Sequence, residues 1–318
     1  MKFLLPTGIG DSVWALHKIQ AVAQKHGSSH EEINVGLVCG VESKIETRAL
    51  DFLRRFKFID SVRMCPGYSI LKEPVFRVDG CWNYIEDGFY KFKGEDWCVL
   101  IPNEPLERGV RLEKWLPDIP IRWDIWDDFH IRAEEIEHAG QIMPKGPYAV
   151  FYPGPLDGNT VQGHNRDMLW RPQDWIELGR RLYEEHKLRI VVVGAPYDAA
   201  YYDTVIGPNL NGASGYWKNL IGRTSLGALW TITRYANLVV SYQAGVGIVS
   251  TYLHAPTAIF WRPKGNSIVR ESYLSFDEKM ASAWVPPAVQ AAGTHLPLIY
   301  GRHDVDYIMR EVKSRSWV

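Results

Sequence analysis

Residues 225–261 read "SLGALWTITRYANLVVSYQAGVGIVSTYLHAPTAIFW", and two hydrophobic patterns alternate along them. "NLVVSY" and "TAIFW" are short unbroken runs of β-branched and aromatic residues, the pattern of strands buried on both faces. "SLGALWTITRYA" before the first run and "GVGIVSTYLHA" between the two are long enough for helices, and a glycine-rich turn, "YQAGVG", follows the first strand. Helix and strand in alternation, with glycine at the strand ends, predict a doubly wound parallel sheet.

The same pattern extends towards the N-terminus. "RIVVVGAP" and "YAVFYPG" read as further buried strands, and Pro172 suits the first position of a helix whose Trp175, Leu178 and Leu182 share a face. "MPKGP" then breaks a charged helical segment that ends near His138. Beyond that break a second series begins. "KFLL" reads as a strand, and Val13, Leu16, Ile19, Val22 and Ala23 recur at helical spacing. "INVGLVC" and "IDSVRMC" read as strands, and "KIETRALDFLRRF" as a helix with Ile45, Ala49, Phe52 and Leu53 on one side. Residues 66–130, rich in Trp, Tyr, Pro and Gly, read as the loop-rich part of the first domain. The expectation is two Rossmann-like α/β domains, at 1–143 and 144–275. A tail at 276–318 is expected to end in an amphipathic helix and to pack back on the first domain.

A chain of 318 residues with 46% apolar and 23% charged residues can bury two cores. Lys and Arg number 36 against 37 Asp and Glu, a balance that argues against a strongly basic nucleic-acid surface. The four cysteines, Cys39, Cys65, Cys81 and Cys98, form no CxxC pair and read as reduced, buried thiols. Four apolar residues precede Pro6, fewer than the roughly 7–15 of a secretory signal, and no run reaches the roughly 20 of a membrane span. A cytoplasmic protein without an integral membrane segment is expected. The 13 Trp and 16 Tyr suit sugar and base faces as well as cores.

Ligands of open parallel sheets bind beyond the carboxyl ends of the strands. The turns placed there are "PTGIGD" (6–11), "YPGPLDGN" (152–159), "VGAPYD" (193–198) and "SYQAGVG" (241–247). Neither G-x-G completes a dinucleotide fingerprint, because Val13 and Ser250 stand where a third glycine would fall. A Walker A lysine, a G-x-S-x-G elbow and an H-E-x-x-H pair are absent from the sequence. "DVD" at 304–306 opens the last helix and reads as a cap rather than a metal motif.

The order "GIGD"-helix, then "NRDMLWRPQDWIELGRRL", then "GRTSLGALW" and "SYQAGVGIVSTYLHAPTAIFWRP" resembles the GT-B-fold glycosyltransferases, most closely the heptosyltransferase-like branch. The likeness covers roughly the first 60 residues and 148–263. It implies two Rossmann-like domains facing across a cleft, a nucleotide-sugar donor on the second and an acceptor on the first. By position, Asp11 matches the general base that takes the acceptor proton, with Gly8 and Gly10 in the acceptor-side turn. An ordinary helix cap is the competing role for Asp11, and Ser12 could serve as that cap instead. Gly154, Arg166, Trp170, Arg171, Gln243, Ala244, Gly245, Val246 and Gly247 fall on the donor side. Arg171 or Arg166 would face the diphosphate, and Trp170 is either core or a stacking surface for the base. The family's donor-loop Asp, Thr and His are Gln243, Ala244 and Ile248 here, and its Trp-Pro pair is split as Trp170-Arg171-Pro172.

The reaction implied is metal-independent, inverting transfer of a sugar to an acceptor hydroxyl, with no cofactor beyond the nucleotide-sugar co-substrate. Glycans, lipid-linked glycans, a modified DNA base and small molecules are the candidate acceptors. A sugar-nucleotide epimerase and a non-catalytic nucleotide-sugar or glycan binder are the alternatives on the same fold.

Overall fold

The computed structural model describes residues 1–6, 8–26, 32–39, 44–66, 77–78, 81–82, 90–92, 95–100, 111–154, 170–210, 215–261, 285–299 and 303–318. The chain divides into two units, Met1–His130 and Ile131–Val318.

In the first unit the elements are β1 (Lys2–Pro6), α1 (Ile9–His26), β2 (Asn34–Cys39), α2 (Lys44–Leu53), β3 (Ser61–Pro66), the hairpin β4 (Arg77–Val78) and β5 (Cys81–Trp82), β6 (Tyr90–Phe92) and β7 (Glu95–Val99). The main sheet runs β3-β2-β1-β7-β6, parallel except where β6 turns back on β7. Val13, Leu16, Ile19, Val22 and Ala23 of α1 are all buried, as their spacing requires, and so are Ala49, Phe52 and Leu53 of α2. Ile45 belongs to the same expected face, but its side chain lies outside the described part. Gly36 in β2 is needed for close approach. A Cβ there would stand 2.7 Å from the Trp97 ring, 2.8 Å from Cys65 Sγ and 2.9 Å from Leu4.

The opposite side of α1 is buried too, by residues 111–129 of the stretch read as loop. Lys18, fully buried, donates from Nζ to the carbonyls of Trp115, Leu116 (2.8 Å) and Ile119 (2.9 Å). His17 Nδ1 lies 2.6 Å from the Arg122 carbonyl. Phe52, Phe56, Trp126 and Phe129 close this region with tilted and edge-on ring contacts 5.0–6.2 Å apart.

The second unit begins with α3 (Ala133–Ile142) and continues β8 (Tyr148–Tyr152), α4 (Pro172–His186), β9 (Arg189–Val192), β10 (Trp217–Asn219), α5 (Leu226–Arg234), β11 (Leu238–Tyr242), α6 (Gly245–Tyr252), β12 (Thr257–Trp261), α7 (Pro287–Ala291), β13 (His295–Ile299) and α8 (Val305–Ser314). Its six strands are all parallel, in the order β10-β9-β8-β11-β12-β13. Trp175, Leu178 and Leu182 of α4 are buried as one face, and Pro172 opens that helix. Asp304 caps α8 by accepting from Tyr307 N at 2.8 Å, the role its sequence position predicts.

Two domain expectations differ from the structure. The division falls after His130 rather than after residue 143, because α3 packs on α5 and buries Glu135 and Ala139. The described part of the tail is built into the second unit. There β13 extends the sheet, and Ile308, Met309, Val312 and Trp317 join the core cluster around Trp175. No described helix is long and apolar enough to cross a membrane.

Two tests follow from this packing. Lys18→Met keeps the bulk of the side chain but strips three carbonyls of their donor, and a loss of about 1–3 kcal/mol in urea unfolding is expected. Burial also pushes the His17 imidazole down to about 4 and the His295 imidazole down to about 3. The unfolded chain takes up these protons near pH 6.5 while the folded chain refuses them, so stability must fall as pH drops from about 6.5 towards 4. His295→Leu should flatten that fall by up to about 1.4 kcal/mol per pH unit in denaturation at pH 7.5, 6 and 5. A slope equal to that of the parent chain would contradict the assignment.

Candidate donor site at the strand ends of the second unit

From β8 the second sheet grows outward to β9 and β10, then the chain returns to lay β11 on the other side of β8. The crevice beyond the carboxyl ends of β8 and β11 is therefore the switch point at which such sheets bind ligands. Tyr152 and Ser241 are register partners there, and the chain leaves as Tyr152-Pro153-Gly154 on one side and Tyr242-Gln243-Ala244 on the other.

Helix α6 starts at once. Its N-cap is Ala244, whose methyl group cannot accept a hydrogen bond, and its first turn carries no acidic residue. Three other helix starts of this unit are already supplied, whereas α7 opens on Pro286 and Pro287 with no acid in its first turn. Ser225 Oγ accepts from Ala228 N on α5, Asp304 caps α8, and Asp174 sits in the first turn of α4. Among the described residues the backbone amides opening α6 thus meet no side-chain acceptor, and the helix dipole adds partial positive charge to them. Beside them the Gln243 side-chain oxygen is buried with no hydrogen-bond partner among the described residues, while its backbone N–H donates to Phe260 at 3.0 Å.

The expected donor-side residues divide into distinct groups. Gln243, Ala244, Gly245 and Val246 lie together at the switch point. Gly247 is held by packing, since a Cβ there would stand 3.0 Å from Ser241 Cβ and Oγ and 3.2 Å from Ile259. Trp170 belongs to the core. It is 7% exposed, its indole N–H donates to the His303 carbonyl at 2.9 Å, and its ring sits edge-on to Trp175 and Phe260. Arg171 is 78% exposed and folds back on Asp174, 3.2 Å away, and that hydrogen bond raises its pKa further. Arg166 lies outside the described residues. Tyr242 is core as well, buried, with its hydroxyl 3.3 Å from Trp175 Nε1.

Asp198 emerges from the structure as a residue that the sequence reading passed over, although its turn "VGAPYD" had been placed at a strand end. It is 3% exposed, and its Oδ2 accepts from Ala195 N at 2.7 Å. A Cβ on Gly154 would come within 3.0 Å of this carboxylate, and one on Gly194 within 2.8 Å. The carboxylate thus fills a notch between the ends of β8 and β9. The available signal was the pair of glycines, each at a strand end. Further along the edge, Gly222 adopts φ +70°, its N–H donates to Gly194 at 3.0 Å, and the exposed Arg223 follows it.

In the first unit, Ser12 N donates to Gly8 O at 2.8 Å, so the helix begins there and Gly10 and Asp11 occupy its first turn. Ser12 is not the cap. It is buried inside the turn, and its hydroxyl donates back to Pro6 O at 2.6 Å. The Asp11 side chain lies outside the described part. Among the described residues no three His, Cys, Asp or Glu side chains gather as metal ligands.

No known sequence family matches the chain, and no curated protein matches it in sequence. Solved structures do match in fold. The E. coli ADP-heptose lipopolysaccharide heptosyltransferase II is similar over 99% of this chain and 98% of its own, at 13% identity and a TM-score of 0.58. A family 9 glycosyl transferase from Veillonella parvula gives 11% identity over 99% and 96%, with a TM-score of 0.56. E. coli heptosyltransferase WaaC with ADP gives 13% over 99% and 98%, with a TM-score of 0.50. The chain has the heptosyltransferase-like GT-B fold, as its motif order implied.

The packing role of Gly247 can be tested alone. Gly247→Ala should cost about 1–3 kcal/mol in denaturant unfolding, because neither Ser241 on β11 nor Ile259 on β12 can move without disturbing the sheet.

Proposed function

We propose that the chain is a glycosyltransferase that moves a sugar from a nucleotide-sugar donor to an acceptor hydroxyl. The observation that carries this reading is the uncapped start of α6 at the switch point of a sheet with the heptosyltransferase fold. Backbone amides with no side-chain acceptor among the described residues, at the positive end of a helix, suit the diphosphate of a nucleotide sugar.

The chemistry assigned to the residues balances. Asp11 accepts the proton of the acceptor hydroxyl, the freed oxygen forms the new bond to the anomeric carbon, and the bond to the diphosphate oxygen breaks. The leaving nucleoside diphosphate keeps that electron pair, and its charge is met by the amides of Gly245 and Val246 and by an arginine. Arg166 is the preferred arginine, since Asp174 already holds Arg171. One displacement inverts the anomeric centre. Gln243 and Ala244 place no anionic side chain beside the phosphates, so in this reading the loop binds through dipoles alone. Gly154 and Gln243–Val246 bind the donor, and Gly8, Gly10 and Asp11 serve the acceptor, which is a glycan, a lipid-linked glycan, a modified DNA base or a small molecule.

Thermal-shift measurement against ADP, GDP, UDP and CDP tests the class. One of them should raise the melting temperature, the gain reaching about 2.7 kcal/mol at a hundred times its Kd. No shift with any of the four at millimolar concentration would remove the reading. Once a donor is identified, Asp11→Asn should keep the shift and lose about 10²–10⁴-fold in turnover. Parental turnover by that variant would take Asp11 out of the mechanism.

A further inference from the structure

Glu135 is out of place for its type. Glutamate is among the residues least often buried, and a buried carboxylate is costly unless it is bonded. Here it is 5% exposed, in the first turn of the helix that opens the second unit. Its Oε1 accepts from Gly227 N at 3.2 Å, on the first turn of α5, and its Oε2 accepts from Arg132 N at 3.2 Å. The Arg132 guanidinium stands 3.7 Å from the same oxygen.

Gly227 is shaped for this group. A Cβ there would fall 2.2 Å from Oε2 and 2.4 Å from the carboxyl carbon, so no other residue fits while the carboxylate is in place. An α3–α5 contact that served packing alone would be met by two apolar side chains at lower cost. Two elements have instead made room for one charge, and its partners are the N-terminal amide and dipole of α5.

What α5 carries at that end gives the pairing its meaning. Immediately before it runs the turn Gly222–Ser225, which leaves β10 at the edge where ligands of the sheet bind. That turn is tied inward through Gly222 N to Gly194 O (3.0 Å) and Ile221 N to Asn219 Oδ1 (2.9 Å).

We propose that Glu135 is a positioning residue of the donor edge, holding the start of α5 so that the Gly222–Ser225 turn stays seated against Gly194. The geometry stands by itself, while the ligand at that edge rests on the function proposed above. Hydrogen exchange on the full chain separates the two. In Glu135→Gln the amides of 220–222 should exchange about tenfold faster or more, with those of β8 and β12 unchanged. The nucleoside diphosphate that stabilises the parent chain should bind at least about fivefold more weakly, measured well below the melting temperature. Gly227→Ala should show the same two defects. Adding Glu135→Asp, which withdraws the carboxylate by one methylene, should restore most of the affinity, a rescue that simple loss of stability does not give.

Unchanged exchange at 220–222, or acceleration spread evenly over the unit, overturns the proposal. So does parental nucleotide affinity in both single variants. If the parent chain binds none of the four diphosphates, the functional reading falls, and the exchange result alone decides the role of Glu135.

Discussion

The pairing of β11 with β8 is the constraint on which the second unit depends. Strands β8, β9 and β10 could have formed a sheet that kept growing in one direction. Laying β11 beside β8, with Val240 opposite Phe151 and Ser241 opposite Tyr152, reverses that growth and makes the switch point. Everything of chemical interest in the unit stands on the edge so created. Gly247 exists because α6 must lie directly on β11 and β12, and the same closeness brings the first amides of α6 to the crevice.

The electrostatics of that edge follow from how its helix ends are occupied. Helix α5 is supplied by Ser225 and Glu135, α8 by Asp304, and α4 carries Asp174 in its first turn. These are acids or hydroxyls provided by the chain for its own amides. At the start of α6, by contrast, no side chain among the described residues does this. A helix end that pays for its own satisfaction cannot also attract an anion, and this division lets an almost neutral protein present a local positive site.

Much of the fold was legible in the sequence, and the reason is physical. Strands buried on both faces, such as 148–152, 238–242 and 257–261, read as unbroken apolar runs, and their glycines and caps punctuate them. Weakly marked elements were not legible. Strand β10 is only Trp217–Asn219, and β13 contains Pro297, so neither shows a run. The covering of α1 by 111–129 could not be read because Lys18 and His17 look like surface residues, and only their carbonyl partners explain their burial. At the carboxyl edge of the second sheet, sequence order put Gln243–Val246 on the turn after β11 but could not tell that the Trp170 ring points into the core, or that Arg171 is held by Asp174. Asp198 escaped for the same reason as Glu135. A buried carboxylate looks like any surface acid until the glycines that accommodate it are seen in space.

Gly154, Gly194 and Asp198 carry a consequence for how such a protein can change over time. A methyl group at either glycine meets the carboxylate at 3.0 or 2.8 Å, and losing the carboxylate leaves Ala195 N without its acceptor. None of the three positions can drift alone at low cost, whereas a shorter polar residue at 198 would free both glycines at once. Substitution here should therefore come in sets, with neighbouring strand ends inheriting one another's history. In a collection of descendants of this chain, those three columns would vary together or not at all.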